Sequence, residues 1–194
     1  MKFQDITHNQ QSRYILDTPG KHIFFCVNRS GKLVFDLVTP GAEALVYALF
    51  IGKNTDDFSF DVTQNHQAPN TTSRLLVKSV LSDKARFRYE GMIQIAKDAQ
   101  RSDAEQINRN LILSSEASAF SRPDLEILAD DVACRHASTT AKPNAEQFFY
   151  AQSRGLNQAA TERLLMEGFI NDFFIEIEKF GNFPELESYK AMHF

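Results

Sequence analysis

A thiol and an imidazole lie two residues apart in this chain, at Cys134 and His136. Apolar residues in the stretch 125–136 alternate with other residues on either side of Asp130 and Asp131, which predicts two short strands. Residues two apart on a strand share a face, so Cys134 and His136 should point the same way. Thiolate and imidazole are ligands that suit iron or zinc, but two ligands do not complete a four-coordinate site. We therefore expect any metal site here to need ligands from a second chain.

Other interpretations of these residues remain open. Cys134 could be a small buried hydrophobic residue, because free cysteine is among the most buried residue types. Asp130 and Asp131 could be a pair of catalytic carboxylates, with Arg135 as a basic partner. Adjacent strand residues point to opposite faces, however, which favours a turn at the two acids. Cys26 lies within an apolar run and is predicted to belong to the core.

Composition limits the possible classes of protein. The chain has 194 residues, is 43% hydrophobic and carries a formal charge of −4 with interspersed signs, so we expect one domain with an ordinary core and no nucleic-acid partner. The longest apolar run, residues 44–51, is too short to span a membrane, and the polar N-terminus predicts no signal peptide. Two cysteines 108 positions apart without a CxxC motif predict free thiols and a cytoplasmic location.

Residues 1–142 contain short strand-like runs roughly every ten residues, which is typical of a sandwich, a barrel or a solenoid. Several runs are apolar on both faces, which favours stacked solenoid rungs, but no exact repeat decides the question. The turn at residues 28–31 predicts a hairpin between the strands that flank it. Polar residues 97–108 predict a loop or a single helical turn, after which strands resume at 111–113.

From Pro143 onward the apolar period changes from two to about 3.6, which predicts helices. Asn144, with Gln147 three residues later, predicts a capped helix over residues 145–154 with Phe148 and Phe149 on its inner face. A second helix is predicted from a cap at Asn157 to near residue 181. The sequence thus divides into a β core at 1–142 and a C-terminal helical subdomain at 143–194.

The second predicted helix carries more aromatic residues than it needs for its own packing. Part of this stripe should cover the open end of a solenoid, and the remainder is available to a partner. Gly168 lies in the middle of the helix, where glycine costs about 1 kcal/mol relative to alanine, so close packing against another backbone is predicted there.

A series of motifs in residues 61–174 resembles the SufB/SufD family of iron–sulfur cluster assembly proteins, and is closer to SufD. No single motif is diagnostic, and the resemblance is carried by their order and spacing. The motifs are His-Gln-Ala-Pro-Asn at 66–70, Asn-Leu-Ile-Leu-Ser at 110–114, Pro-Asp-Leu-Glu-Ile at 123–127, Ala-Asp-Asp-Val at 129–132, Cys-Arg-His at 134–136, Gln-Phe-Phe-Tyr at 147–150 and Ser-Arg-Gly at 153–155.

The resemblance implies a mainly β fold, a right-handed parallel β-helix followed by a small C-terminal helical subdomain. It implies a non-enzymatic scaffold that dimerises through its β-helix with a SufB-like subunit or with itself. A transient iron–sulfur cluster would form at that interface, with His136 and Cys134 as candidate residues. A SufC-like ABC ATPase would dock on the helices. The candidate partner-binding residues are Phe148, Phe149, Tyr150, Arg154, Gly155, Leu164, Leu165, Gly168, Phe169 and Phe173.

The chain also departs from the family pattern. It is a short form that lacks the helical region that usually precedes the β-helix. Ala137 and Ala141 replace glycines, and Arg135 replaces a small polar residue, which should narrow the room around His136. A structural homodimer that has lost cluster chemistry is therefore an alternative, and a polysaccharide-active β-helix enzyme using Asp130 and Asp131 is another.

Overall fold

A computed structural model describes residues 1–191 and contains, within that range, eleven strands followed by three helices. The strands are β1 (Lys2–Asp5), β2 (Arg13–Leu16), β3 (Gly20–Val27), β4 (Gly31–Leu37), β5 (Ala42–Gly52), β6 (Asp57–His66), β7 (Thr72–Leu81), β8 (Arg86–Ile95), β9 (Asp103–Ile112), β10 (Ser118–Ile127) and β11 (Ala133–Ala141). The helices are α1 (Ala145–Ser153), α2 (Gln158–Glu178) and α3 (Glu185–Ala191).

The strands form two parallel sheets that the chain visits alternately. Sheet A has the order β1-β3-β5-β7-β9-β11, and sheet B has the order β10-β8-β6-β4-β2. Residues about 30 positions apart stack on one another along sheet A, as Thr72 does on Asp103 and Asp103 on Ala133. The fold is therefore a parallel β-helix, and the solenoid that the family resemblance implied is confirmed.

In the early strands, alternate residues point into the β-helix and out of it. Phe24 and Cys26 of β3 point inward, whereas Ile23 and Phe25 of the same strand point outward. Both faces of sheet A are buried here, because the helices cover its outer side. The prediction that Cys26 belongs to the core is confirmed, since its side chain is fully buried.

Helix α2 packs on the outer face of sheet A, and not over an end of the β-helix as the sequence predicted. Its buried residues Ile170, Phe173, Phe174 and Ile177 contact apolar side chains of β3, β5 and β7. Covering this face removes a large apolar surface from water, which is the main stabilisation available to such a helix. The apolar cluster extends to Leu111 of β9, whereas most residues of β10 and β11 are exposed or only partly buried.

A buried lysine fixes α2 to the sheet. Lys78 of β7 is fully buried, and its Nζ donates to the Phe169 carbonyl oxygen at 2.9 Å and to Asp172 Oδ2 at 2.5 Å. The ammonium also lies 4.5 Å from the centre of the Phe169 ring. Burial lowers the pKa of Lys78, while the ion pair with Asp172 opposes that shift.

The predicted hairpin at residues 28–31 is wrong. Strands β3 and β4 belong to different sheets, so the turn between them is a corner of the solenoid. Asn28 adopts a φ of 50°, a left-handed conformation that asparagine tolerates in hairpins and in corners alike. The residue types of the turn therefore could not distinguish the two.

The predicted loop over residues 97–108 is also wrong in its second half, because β9 begins at Asp103. The inward positions of β9 include Gln106, Asn108 and Asn110, all of which are buried polar residues. A strand whose core positions are polar gives no hydrophobic alternation. The division into units 1–142 and 143–194 stays a prediction, and residues 192–194 of the second unit lie outside the described residues.

Candidate functional site

Cys134 and His136 lie on β11, the last strand of sheet A. Cys134 pairs with Ala104 of β9 and His136 with Gln106. Cys134 is half-buried and packs against an interior cluster that includes Ile93 and Ala104. Because His136 is two residues further along the strand, it has the same inward orientation at the mouth of the β-helix, where it is exposed.

Arg135 points to the opposite face of the strand and does not narrow the room around His136. Its Nε lies 3.2 Å from Glu105 Oε1, and its Nη2 lies 3.5 Å from Asp103 Oδ1. These acids lie on the outer face of sheet A, where Arg74 also pairs with them. The expectation that Arg135 would crowd the imidazole is wrong, because alternation directs its side chain away.

The thiol of Cys134 is held in its protonated form near neutral pH. Burial raises its pKa above the usual value, the charge of Arg135 opposes that rise, and the charge of Asp103 adds to it. A metal must displace the thiol proton on binding, so affinity at this position should increase with pH.

Cys134 and His136 together offer two donors. No group of three or more His, Cys, Asp or Glu side chains within residues 1–191 is arranged to hold a metal ion. The second cysteine cannot contribute, because Cys26 is fully buried in the core and burial raises the pKa of its thiol to about 12. A four-coordinate site at β11 would therefore need donors from another molecule.

A layer of polar side chains lies inside the β-helix next to the candidate site. Asn110 accepts from Ser79 Oγ at 2.7 Å and donates to Asn108, to Ser121 and to Thr140. Ser138, on the same face of β11 as His136, lies 3.2 Å from Asn108 Oδ1. Sequence reasoning missed this layer, although the Asn-Arg-Asn run at residues 108–110 has the period-two spacing that could have revealed it.

Strands β10 and β11, with the corner at residues 128–132, form what we call the terminal rung. Within residues 1–191, neither strand pairs with another strand on its outer edge. Apolar side chains accompany these unpaired edges: Phe120 is 53% exposed and Leu128 is 62% exposed. An open edge with apolar neighbours is a template for pairing with another chain.

Asp130 and Asp131 occupy the corner between β10 and β11, as the turn interpretation predicted. The backbone carbonyl of Asp131 accepts from the Arg101 N–H at 2.6 Å, and its own N–H donates to Gln100 Oε1 at 2.9 Å. Both side chains are exposed. The backbone of this corner is fixed by hydrogen bonds to the corner of the preceding rung.

The helical surface differs from its prediction in several places. Helix α1 does begin at an Asn144 cap with Gln147 completing a capping box. Phe149 is not on an inner face, however: it is 76% exposed and Tyr150 is 64% exposed. Arg154 lies over the Tyr150 ring at 5.5 Å, and Gly155 ends the helix with a φ of 91°.

Gly168 faces open space, which contradicts the predicted close packing of α2 at this position. A Cβ at this position would meet no atom within 4 Å. The glycine lines a cavity of about 380 Å³ between the end of β11 and the two helices. Further residues that line it include Leu111, Ala141, Gln147, Leu164, Leu165 and Phe169.

The remaining candidate partner-binding residues differ in their solvent exposure. Leu164 is 52% exposed, whereas Phe148, Leu165 and Phe169 are partly buried. Phe173 is fully buried against sheet A, so in the folded chain it has no surface to offer a partner. Its aromatic character serves the chain's own core.

The fold and these surfaces define a short parallel β-helix with helices packed on one side and an exposed terminal rung. The chain belongs to the SufB/SufD family: residues 5–169 match the family model described as "SUF system FeS cluster assembly, SufBD core domain". The process in which this family takes part is iron–sulfur cluster assembly.

Curated relatives agree with this assignment. The chain is 33% identical over 135 residues to "Iron-sulfur cluster assembly SufBD family protein slr0076" of Synechocystis, covering 70% of this chain and 29% of the relative. It is 38% identical over 104 residues to "Iron-sulfur cluster assembly protein SufD" of Escherichia coli, covering 54% and 25%. It is 31% identical over 146 residues to the SufBD family protein ML0594 of Mycobacterium leprae, covering 71% and 37%.

The chain therefore spans well under half the length of the relatives it matches. None of the helices in residues 1–191 is long and apolar enough to cross a membrane.

Proposed function

We propose that this chain is a SufD-like scaffold subunit that pairs through its terminal rung and presents Cys134 and His136 to an iron–sulfur cluster. The cluster is cargo assembled between two chains. The observation that carries the proposal is the position of both donors on a rung whose outer edges pair with no strand in residues 1–191. The chain acts in the cytoplasm as an assembly component and not as an enzyme.

The pairing partner is a SufB-like subunit or a second copy of this chain. Strands β10 and β11 offer a row of free backbone donors and acceptors over ten and nine residues. Leu125 and Ile127, which are 41% and 39% exposed, add apolar surface beside that row. A partner strand would satisfy the backbone groups, cover the apolar side chains and bring the missing ligands to Cys134 and His136.

A SufC-like ATPase docks on the surface formed by α1 and the first half of α2. Phe149 and Tyr150 are exposed aromatic residues of α1, the helix whose Gln147 lines the cavity at Gly168. Aromatic side chains beside a concave apolar surface are the usual anchors of a protein interface. Lys78 would keep this part of α2 fixed on sheet A while the ATPase is bound.

Anaerobic reconstitution with iron and sulfide tests the cluster role. Wild type, Cys134→Ala and His136→Ala are compared in the presence of the pairing partner, with Thr139→Ala as an outward-facing control on the same strand. We expect visible absorbance to fall in the two donor variants and to stay unchanged in the control. Equal absorbance in all four proteins contradicts the assignment.

Size-exclusion chromatography tests the docking role. Purified chain and its cognate ATPase, mixed at roughly 10 µM, should elute as a complex, since specific interfaces have affinities in this range or tighter. Phe149→Ala should weaken the complex, whereas Phe120→Ala, another exposed aromatic substitution but on β10, should not. Failure of two folded proteins to associate overturns this part of the proposal.

The second candidate function is a structural homodimer without cluster chemistry. The observation in its favour is that the donors gathered at β11 within residues 1–191 number fewer than three. The reconstitution separates the two candidates, because a purely structural dimer would form normally and bind no iron through Cys134 or His136. An enzyme that uses Asp130 and Asp131 has less support, because these acids occupy an exposed corner.

A further inference from the structure

We propose that Gln106 positions His136, with the Gln106 side-chain carbonyl accepting a hydrogen bond from one imidazole N–H. This inference deepens the proposed function and depends on it for its role in cluster binding. It concerns how the exposed imidazole is oriented before any cluster arrives.

The register of the sheet places the two residues side by side. His136 of β11 pairs with Gln106 of β9 in the parallel ladder, and strand neighbours lie about 4.8 Å apart. Both side chains are on the inner face. Gln106 is 1% exposed, and His136 shares its face with Cys134 and Ser138, which contact the interior.

The Gln106 amide is held in place but is not satisfied. Its Oε1 accepts from the Tyr89 hydroxyl at 3.4 Å, while its Nε2 is buried without a partner. Gly91 makes room for this pair: a Cβ there would lie 2.1 Å from Tyr89 Oη and 2.7 Å from Gln106 Oε1. Tyr89 and Gly91 therefore confine the amide to the layer directly beside the terminal rung.

A buried amide with an unpaired end is destabilising, so a partner is expected in its neighbourhood. Rotating the amide by half a turn exchanges two groups of almost equal size. Nε2 would then donate to Tyr89 Oη and the carbonyl oxygen would be available, while the Tyr89 O–H would give up its present acceptor. The imidazole of the paired residue on β11 offers an N–H to that oxygen. Tyr89 would hold one end of the amide and His136 the other.

This hydrogen bond would matter for ligation because it selects the tautomer. A ring nitrogen binds a metal through its lone pair, and the other ring nitrogen then carries the proton and donates it to a neighbour. Fixing the protonated nitrogen against Gln106 directs the lone pair of the other nitrogen out of the mouth of the β-helix, where a partner chain would lie.

The first test uses the metal-free chain. Imidazole ¹⁵N shifts of His136 are measured near pH 9. We expect wild type to populate one tautomer and Gln106→Leu to shift toward the mixture of free histidine. Gln106→Glu keeps an acceptor and should retain the wild-type tautomer. Cys26→Ala changes a fully buried interior side chain on β3, four strands from β11 in sheet A, and should change nothing at His136.

A wild-type tautomer ratio equal to that of free histidine overturns the proposal, even if a variant fails to fold. An unchanged ratio in folded Gln106→Leu overturns it as well. The second test is the reconstitution with iron and sulfide, in which Gln106→Leu should retain cluster about tenfold more weakly. If His136→Ala loads as much cluster as wild type, the cluster role falls, while the tautomer result still decides the hydrogen bond.

Discussion

The two ends of the β-helix have the same repeating backbone geometry but differ in the polarity of the side chains in their interiors. At the N-terminal end, Tyr14 stacks on Phe35 at 5.3 Å and lies 5.0 Å from Phe24. Arg29 donates to the carbonyl oxygens of Ile6 and Gln11 and holds the connecting loop over this end. At the C-terminal end, an amide and hydroxyl layer lies beside a small apolar cluster that includes Ile93 and Ala104, and the terminal rung is exposed.

This difference shows which end of the β-helix is filled mainly by apolar side chains. The N-terminal rungs bury their own apolar side chains, and their edge strands β1 and β2 are short. The C-terminal rungs bury amides and hydroxyls but leave the backbone edges of β10 and β11, a half-buried thiol and an exposed imidazole. The candidate functional site lies at the C-terminal end, where the terminal rung is exposed.

The largest loss of stability is predicted for truncation of a core side chain at the N-terminal end, which we call the closed end. Phe35→Ala should cost about 3–5 kcal/mol in the free energy of unfolding, because a fully buried ring leaves a cavity. Leu125→Ala, at the open end and 41% exposed, should cost less than about 1 kcal/mol in the isolated chain. Urea unfolding measures both. Equal costs would show that the two ends are not different.

The second-largest effect is the pH dependence of stability that a buried interior histidine should cause. His66 is buried, with its ring nitrogens 2.7 Å from Thr71 Oγ1 and 2.8 Å from Ser73 Oγ, and burial lowers its pKa to about 4. The unfolded chain binds the extra proton first, so stability is lost as pH falls from about 6.5 to about 4, by up to about 3 kcal/mol.

Unfolding free energies measured across this range should show a steeper pH dependence for wild type than for His66→Gln. Parallel curves for the two proteins would mean that His66 takes up its proton equally well in the folded chain.

A smaller effect is expected in the polar layer near the open end. Asn110→Ala should cost about 1–3 kcal/mol, because Ser79 Oγ and Asn108 Nδ2 both lose Asn110 Oδ1 as a buried acceptor. Ser138→Ala, at the exposed rim of the same layer, should cost roughly 0.5 kcal/mol. Thermal or urea unfolding distinguishes the two. If Ser138→Ala costs as much as Asn110→Ala, the rim is as ordered as the interior.

A substitution at an exposed residue of the terminal rung should have the smallest effect on the stability of the isolated chain but a large effect on its pairing with another chain. Leu128→Glu should change the unfolding free energy by less than about 0.5 kcal/mol and weaken pairing at least about tenfold. Ile15→Glu is a matched control, because Ile15 and Leu128 are both 62% exposed but lie near opposite ends. Sedimentation velocity reports the assembly state. Loss of pairing in Ile15→Glu alone would assign the interface to the wrong end.

The sequence predicted the closed part of the molecule better than the open part. Short apolar runs about ten residues apart predicted the strands of the region that contains β3 to β8, and the Asn144 and Asn157 caps located the starts of α1 and α2. Strand β9 was missed because its inward residues are amides, whose burial depends on partners far away in sequence. Hydrophobic patterning cannot identify a polar core.

The candidate site was predictable only in part. Period-two spacing put Cys134 and His136 on one face, and alternation could have shown that Arg135 faces away. The contribution of Gln106 could not be read from the chain, because its place beside His136 depends on the 30-residue register of the sheet. The burial of Phe173 depended on which face α2 would cover, and that is a property of the packed molecule.

The unequal ends also restrict the symmetry of assembly. Strands β1 and β2 have four residues each, whereas β10 and β11 have ten and nine. In a head-to-tail contact between two copies, the short strands of one N-terminal end would meet the longer strands of a C-terminal end. The aromatic interior of the first would also face the more polar interior of the second. Repeated stacking into an open filament is thereby disfavoured, and a contact between two C-terminal ends closes on itself as a finite particle.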